Sequence, residues 1–486
     1  MRREQTSLTL RDTDAIRLEV NGALEPDRKS ALGQFMTPSV IADFMASLFD
    51  IPRSPVSLMD AGAGIGSLAI AAVRRLGNVE WLDAWEIDPL MFGHLETSLM
   101  KLGVKHRVLA ADFIESAVLQ IALSTGRRYT HAILNPPYRK LNSSSVHRAL
   151  LRKVGIETVN LYTAFVALCV LLMQEQGQVV AIIPRSFCNG PYYRPFRELL
   201  LNTCSLERIH VFGARNKAFK DDDVLQENVI VKLVKGKKQG DVVISTSHDH
   251  RLADYSERRL PFTDVVKPAD LESFIHIPTE EQDTDAGSSL FQYSLSEIGI
   301  EVSTGPVVDF RLKEYWLPDP APGSIPLLYP HHFSGGEMQY PKRHKKPNAL
   351  HDSEEVRKWV MPNDCYVLVK RFSSKEERRR LVAYVVDPND IQGDQVGFEN
   401  HWNVFHRGKR GIEPVLARGI ACFLNSTLLD KHFRVFSGHT QVNATDLRNM
   451  KYPSTRVLKA LGEKYRSGMT QVEIDEAVRQ AHAQRN

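Results

Sequence analysis

"LMDAGAGIGSLAIAAV", residues 58–73, decides how this chain is built. A β-type run ends in the acid Asp60, Gly62, Gly64 and Gly66 follow, and an Ala-rich stretch of helical character closes the segment. A strand that turns on glycine into a helix opens a nucleotide-binding βαβ unit. Glycines let the backbone turn tightly and pass close to a ligand at the strand's carboxyl end. The spacing here is G-x-G-x-G, and no helix signature with Lys or Arg aimed at a phosphate follows it.

Working outward, "VEWLDAWEID" (79–88) reads as a strand and "PLMFGHLETSLMKLG" as a helix. "RVLAADF", "HAILNPPY" and "QVVAIIP" are further strands, with helices expected at 161–174 and near 193–202. Alternation of this kind predicts an α/β domain whose mostly parallel sheet carries helices on both faces. "ERIHVFG" and "ENVIVKLV", joined by a polar loop, predict an antiparallel hairpin at one edge of that sheet. Beyond about residue 240 Gly, Pro and His become frequent, and short β-type runs such as "CYVLVKRF" replace the alternation. A second, α+β domain is expected to begin between about 236 and 295, with the boundary placed at 245/246: residues 1–245 and 246–486.

Bulk properties fit this division. A chain of 486 residues allows two or three domains, and 43% hydrophobic with 25% charged residues is ordinary for a globular protein. The longest apolar run, Leu161–Met173, is too short to span a bilayer. "MRREQTSLTLRDTD" has no apolar core, so no signal peptide is expected and the chain is read as cytoplasmic. Five scattered cysteines have neither C-x-x-C nor zinc-type His spacing; no metal is implied. Net charge is only +4, yet basic residues cluster in "PKRHKK" (341–346), "KRFSSKEERRR" (370–380) and "HRGKR" (406–410). Such clusters suit phosphate contacts, though each could equally be solvated surface.

The carboxyl ends of the first three strands supply acids in series. Glu86 is placed to accept both hydroxyls of a ribose. Asp112 and Phe113 suit the amino group and face of an adenine. With the glycine loop, these residues favour S-adenosylmethionine (SAM) over a dinucleotide. Each acid alone could instead cap a helix.

The next strand ends in Asn135-Pro136-Pro137-Tyr138. Two prolines fix φ and stiffen the exit from the strand. An exocyclic amine on a nucleobase is a poor nucleophile because its lone pair is delocalised into the ring. Two acceptors, Asn135 Oδ1 and the Pro136 carbonyl, can take its two N–H bonds and aim the lone pair at a methyl donor. Tyr138 can stack on the base, a contact worth roughly 1–3 kcal/mol against the few kcal/mol that extruding a base costs. Catalysis by fixed dipoles and alignment needs neither a metal nor a strong base.

Together these residues resemble the amino-group DNA methyltransferases, specifically N6-adenine enzymes of type II restriction-modification systems. The order "LGQFMTP" (32–38), glycine loop, "NPPY" and trailing domain matches their gamma arrangement. "NLYTAFVALCVLL", "IIPRSFCNGPYYRPFR", "VLQENVIVKL", "STGPVVDFR" and "SGHTQVNATDLRNMKYP" extend the resemblance to the BsuBI/PstI-like (Eco57I-like) group, over about residues 30–455. That resemblance implies a class I, Rossmann-like fold and SAM as cofactor. It implies that Thr37 holds the methionine end, with Asp60 or the backbone of Gly62 and Gly64 nearby. Glu86 would take the ribose, Asp112 and Phe113 the adenine, and Ile87 would pack on the adenine ring. Phe219, with Phe212 as the fallback, would hold the flipped base from its other face.

It also assigns the second domain to recognition of double-stranded DNA. Lys342, Arg343, Lys345, Lys346, Lys370 and Arg371, with Arg378 to Arg380, are the candidates for phosphate contact. Asn403, Arg407, His439, Gln441 and Asn443 are candidates for base readout, although Thr445 also looks like a helix N-cap. No nuclease cluster is apparent, so a cognate endonuclease is expected on another chain. N4 of cytosine, an RNA base, a protein glutamine, or a non-catalytic DNA specificity subunit remain alternatives, the last disfavoured by the complete set Gly62, Glu86, Asp112 and Asn135.

Overall fold

The glycine segment leaves a central strand. In the computed structural model, which describes residues 10–23, 36–212, 227–249, 251–268, 270–279, 290–373, 379–437 and 441–483, β1 (Val56–Ala61) lies between β2 (Val79–Trp85) and β4 (Tyr129–Leu134), parallel to both. β3 (His106–Leu109) flanks β2, and β5 (Met173–Pro184) flanks β4, again in parallel. The chain therefore moves outward through β2 and β3, then returns across β1 to β4. Ligands of open α/β sheets lie at such a reversal, beyond the carboxyl ends of the strands.

Neighbouring side chains in these strands enter opposite cores. Leu58, Leu82, Ala84, Ile133 and Val180 pack with α2 (Ser39–Ser47), α3 (Ser67–Leu76) and α4 (Pro89–Met100), after the short amino-terminal α1 (Leu10–Ala23). Met59, Trp85, Ala132, Leu134 and Val179 pack with α5 (Phe113–Ala122), α6 (Val146–Lys153), α7 (Leu161–Leu172) and α8 (Arg194–Thr203). Two covered faces explain why the strands are almost continuously apolar.

The expected edge hairpin is not at an edge. β7 (Asn228–Lys235) inserts between β5 and β6 (Cys204–Phe212), antiparallel to each. β8 (Val242–Ser247) then runs parallel to β6, and β9 (Ser256–Leu260) closes a nine-stranded sheet of order β3-β2-β1-β4-β5-β7-β6-β8-β9. A cut at 245/246 would divide β8, whose Val242 and Ile244 are buried; the two compact units instead meet at Thr279/Glu280.

The second unit separates sheets from helices. β10 (Glu301–Thr304), β20 (Trp402–His406), β17 (Tyr366–Lys370) and β18 (Ala383–Val386) form an antiparallel sheet in that order. β11 (Trp316–Leu317), β15 (Ala349–Leu350), β12 (Ile325–Leu328), β19 (Gln395–Phe398) and β16 (Met361–Pro362) form a mixed one, and β13 (Phe333–Ser334) pairs with β14 (Glu337–Met338). Helices α9 (Pro414–Leu424), α10 (Thr427–Phe436), α11 (Ala444–Asn449), α12 (Thr455–Lys464) and α13 (Gln471–Ala483) follow.

α9 and α12 touch backbone to backbone at a pair of glycines. A Cβ on Gly419 would lie 1.7 Å from the Leu458 carbonyl oxygen, and one on Gly462 would lie 1.7 Å from that of Val415. Neither obstacle is a side chain that could swing aside. Gly419→Ala is therefore expected to cost on the order of 3 kcal/mol through forced separation of the helices, read as a lower denaturant midpoint at constant slope; an unchanged midpoint would show that the crossing relaxes.

Candidate active site

At the carboxyl ends of β1, β2 and β4 the chain forms a partly open cleft, lined by both polar and apolar side chains, the kind of concave site that takes a small cofactor. One wall is the turn after β1. Gly62, Gly64 and Gly66 have φ of 79°, 57° and 91°, all in the left-handed region where a side chain is strained. This conformation turns backbone N–H groups toward β2. Gly64 N–H donates to Glu86 Oε2 at 2.8 Å, and Asp88 N–H donates to Glu86 Oε1 at 2.7 Å. Glu86 thus ties the glycine turn to the end of β2. Burial pushes its carboxyl above the usual range, while the two N–H donors oppose that shift.

Asp112 lines the same cleft and caps α5, its Oδ1 accepting from Glu115 N–H at 3.0 Å. Its other oxygen, Oδ2, lies 3.1 Å from His147 Nε2. Phe113 is buried beside Trp85 and Phe165, with ring centroids 5.3 and 4.9 Å away, and contributes part of the apolar lining. Ile87, more than half exposed, stands at the rim.

Asn135 and Thr37 come from segments almost a hundred residues apart. Asn135 Nδ2 donates to Thr37 Oγ1 at 3.0 Å, and both residues line the cleft. The other side of the amide is also held: Tyr138 O–H donates to Asn135 Oδ1 at 2.9 Å and lies 3.2 Å from the Ile182 carbonyl. Pro137 lines the cleft beside Gly62, whereas Pro136 is buried behind it. Tyr138 is half-buried, edge-on to Tyr162 at 6.3 Å, and lies outside the lining.

Asp60 departs from its expected place. It is fully buried under α3, where Oδ2 accepts from Ala69 N–H at 3.1 Å, and it does not line the cleft. α3 starts at Gly66, which has no side chain to cap it, so the acid supplies the cap from the strand below. Oδ1 has no hydrogen-bond partner among the described residues. Desolvation, with Glu86 nearby, pushes this carboxyl up to about 8. The lining also includes Met36, Ile65, Met91, Trp85 and Phe165, which sequence reasoning missed. Phe165 lies in "NLYTAFVALCVLL", where a uniformly apolar helix gives no sign of which residue reaches a ligand.

Phe219 lies outside the described residues. Phe212, the fallback, is a core residue in β6 with its ring edge-on to His210 at 4.7 Å.

The basic candidates of the second unit divide by environment. Arg343 and Lys345 are exposed. Lys342 Nζ donates to the His331 carbonyl at 3.2 Å. Lys346 is bound to the buried carboxylate of Asp309, which also accepts from Tyr329 O–H, so its ammonium is structural. Lys370 Nζ sits 5.5 Å from the Tyr384 ring centre, and Arg371 donates to the Asn400 carbonyl at 3.2 Å. Arg380 is fully buried, which removes it from phosphate contact; Arg379 donates to the Asn425 carbonyl, and Arg378 lies outside the described residues.

Among the readout candidates, Asn403 is buried with Nδ2 donating to the Val442 carbonyl at 2.8 Å. Asn443, not Thr445, is the N-cap of α11, in a capping box with Asp446. Arg407 is exposed and donates to Gly299; Gln441 is half-buried; His439 lies outside the described residues. Among the described residues no group of three or more His, Cys, Asp or Glu could hold a metal ion, and no helix is long and apolar enough to cross a membrane.

The Asp60 environment has a pH signature. A folded pKa near 8, above that of an unfolded carboxyl, means the folded state holds a proton that the unfolded chain releases. The associated stability is complete below about pH 4 and is lost as pH rises toward 8. Asp60→Asn should therefore raise the thermal midpoint more at pH 8 than at pH 5. A difference independent of pH would mean that Asp60 is ionised throughout.

Comparison with known proteins agrees with this architecture. Residues 106–219 match the model of the Eco57I restriction-modification methylase family. The chain is 50% identical to the type II methyltransferase M.BsuBI of Bacillus subtilis and 41% identical to M.PstI of Providencia stuartii, in each case over 96% of both chains. Among solved structures, a DrdV–DNA complex shares the fold at a TM-score of 0.53, covering 93% of this chain and 59% of that one at 12% identity. With half its residues identical to M.BsuBI along nearly its whole length, the chain belongs to the type II methyltransferases of restriction-modification systems.

Proposed function

We propose that this methyltransferase transfers the methyl group of SAM to N6 of an adenine flipped out of double-stranded DNA, at a specific site, and so protects host DNA from an endonuclease carried by another chain. The observation that carries the reading is the shared cleft: the Asn135 amide, anchored on Thr37, lines the same space as Glu86 and Asp112.

The residues present fit SAM. Glu86 offers two carboxylate oxygens to vicinal hydroxyls, Asp112 an acceptor for an adenine amino group, and Phe113 and Ile87 apolar surface for its ring. The left-handed glycine turn brings backbone close to the ligand without Cβ atoms in the way. When bound, SAM supplies an electrophilic methyl on a sulfonium. Asp60, buried and pushed toward its neutral form, supports the turn from below.

On the base side, the amide orientation follows from its donors. With Nδ2 committed to Thr37, Oδ1 is the acceptor, and it has two lone-pair positions. Tyr138 O–H restrains Oδ1, while Pro136 and Pro137 hold the following carbonyl. Oδ1 and the Pro136 carbonyl then accept the two N–H bonds of the target amine and direct its lone pair toward the methyl group. Fixed acceptors lower the barrier because they need not reorganise during reaction. The exposed part of the Tyr138 ring would stack on the base, with Phe219 as the candidate for its other face. Residues 1–245 plus the strands that complete their sheet would form the catalytic part. The second unit would select the site, with exposed Arg343 and Lys345, and with Lys342, Lys370 and Arg371, contacting phosphates.

Asn135→Ala is expected to lower methyl transfer by roughly a thousandfold while SAM and DNA affinities stay near those of the parent. Nucleoside analysis of methylated plasmid should give N6-methyladenine; N4-methylcytosine would move the reading to the cytosine enzymes, and an equal loss of transfer and of both affinities would make the site structural. Tyr138→Phe keeps the ring but frees Asn135 Oδ1 from its restraint. It should cut kcat by roughly tenfold with little change in DNA affinity, whereas Tyr138→Ala should weaken both; identical behaviour of the two variants would deny the hydroxyl a role.

A further inference from the structure

Both oxygens of Asp112 are engaged by the protein, and the second partner comes from a helix with no evident part in the cofactor cleft. Oδ1 accepts from Glu115 N–H, an ordinary helix cap. Oδ2 lies 3.1 Å from Nε2 of His147 near the start of α6, with each side chain one-quarter exposed. A carboxylate can only accept, so the tautomer that can bond across this contact is the one with its proton on Nε2. His147 does not approach by accident of a loose loop. Ser145 caps α6 by accepting from Arg148 N–H, and Leu151, four residues beyond His147 on the same helical face, is fully buried. Arg148 and Arg152 both pair with Glu157, which pins the outer side of the helix. With the helix held along its length, the imidazole is presented to Asp112 in one direction.

α6 is also the element that follows the Asn-Pro-Pro-Tyr segment. Between them, Leu141 N–H donates to the Val159 carbonyl at 2.8 Å and Leu161 N–H to that of Arg139 at 2.8 Å. The chain that leaves the base side of the site is thus strapped down before it delivers His147 to the cofactor side.

We propose that His147 is a positioning residue of the cofactor site: its Nε2–H holds the Asp112 carboxylate in the rotamer that accepts the amino group of the cofactor's adenine. The inference rests on the reading of Asp112 as that acceptor. With Oδ1 held by the cap and Oδ2 3.1 Å from the imidazole, the carboxyl is restrained at both oxygens before the cofactor enters. Losing the imidazole leaves Asp112 tethered at one oxygen, and ordering it then becomes part of the binding cost.

Titration calorimetry with SAM and the full chain tests this. His147→Ala should raise Kd for SAM by roughly tenfold, the size expected for a charge-assisted hydrogen bond. KM for SAM should rise with it, while kcat at saturating SAM and KM for DNA stay within about twofold. His147→Gln, whose amide N–H can reach the same oxygen, should restore most of the affinity. In an Asp112→Ala background, His147→Ala should add nothing further. The inference is overturned if His147→Ala binds SAM as the parent does, or if affinity falls only along with the thermal midpoint of the unliganded protein and Gln does not restore it. An Asp112→Ala variant that binds SAM normally would instead overturn the parent reading of the cleft.

Discussion

The site depends on one buried carboxylate. Glu86 accepts N–H groups from Gly64 and from Asp88, so a single side chain joins the turn after β1 to the turn after β2. The two turns belong to the adjacent parallel strands β1 and β2, beside the reversal of strand order between β1 and β4. Without that tie the glycine turn would keep its left-handed freedom, and Asp112 and Phe113 would face a wall of uncertain shape. Burying an acid is expensive and pushes its carboxyl up, and the N–H donors on both oxygens oppose that shift. Asp60 shows the other outcome. With one oxygen satisfied and the other without a partner among the described residues, its carboxyl is pushed to about 8. Burial pushes both acids, 26 positions apart at the ends of neighbouring strands, upward; donors on both Glu86 oxygens oppose the shift there, while Asp60 has, among the described residues, a donor on one oxygen only.

The Asn135 side of the cleft is built on the same principle of restraint from two directions. Thr37 takes the amide nitrogen of Asn135 and Tyr138 takes its oxygen. A proline follows on either side of the Pro136 carbonyl. Under the proposed function, such a site would act through dipoles already in place. Thr37 arrives from a segment before β1, so it reaches the cleft beside Asn135 despite its distance in sequence.

Basic clusters were a poorer guide than the acids. "PKRHKK" reads as one patch, yet Lys346 neutralises the buried Asp309 while Arg343 and Lys345 face solvent. "KEERRR" contains Arg380, which is fully buried. A run of cations in sequence is a mixture of positions once folded, because each residue's environment is set by elements far along the chain. Asn403 and Asn443 follow the same logic: one satisfies a buried carbonyl, the other caps a helix.

The sequence alone determined the features whose physics is local. Strand-glycine-helix grammar, acids at strand ends, the stiff Asn-Pro-Pro-Tyr exit and the alternation that covers both faces of a sheet are each written within a dozen residues. Tertiary structure decided the rest. It set β7 between β5 and β6 and added β8 and β9, so the first unit runs to Thr279. It turned Asp60 away from the cleft to cap α3, and it brought Phe165, Thr37 and His147 to residues remote from them in the chain. Partner identity across such separations depends on packing and on the satisfaction of buried polar groups, and neither is encoded in the spacing of a single segment.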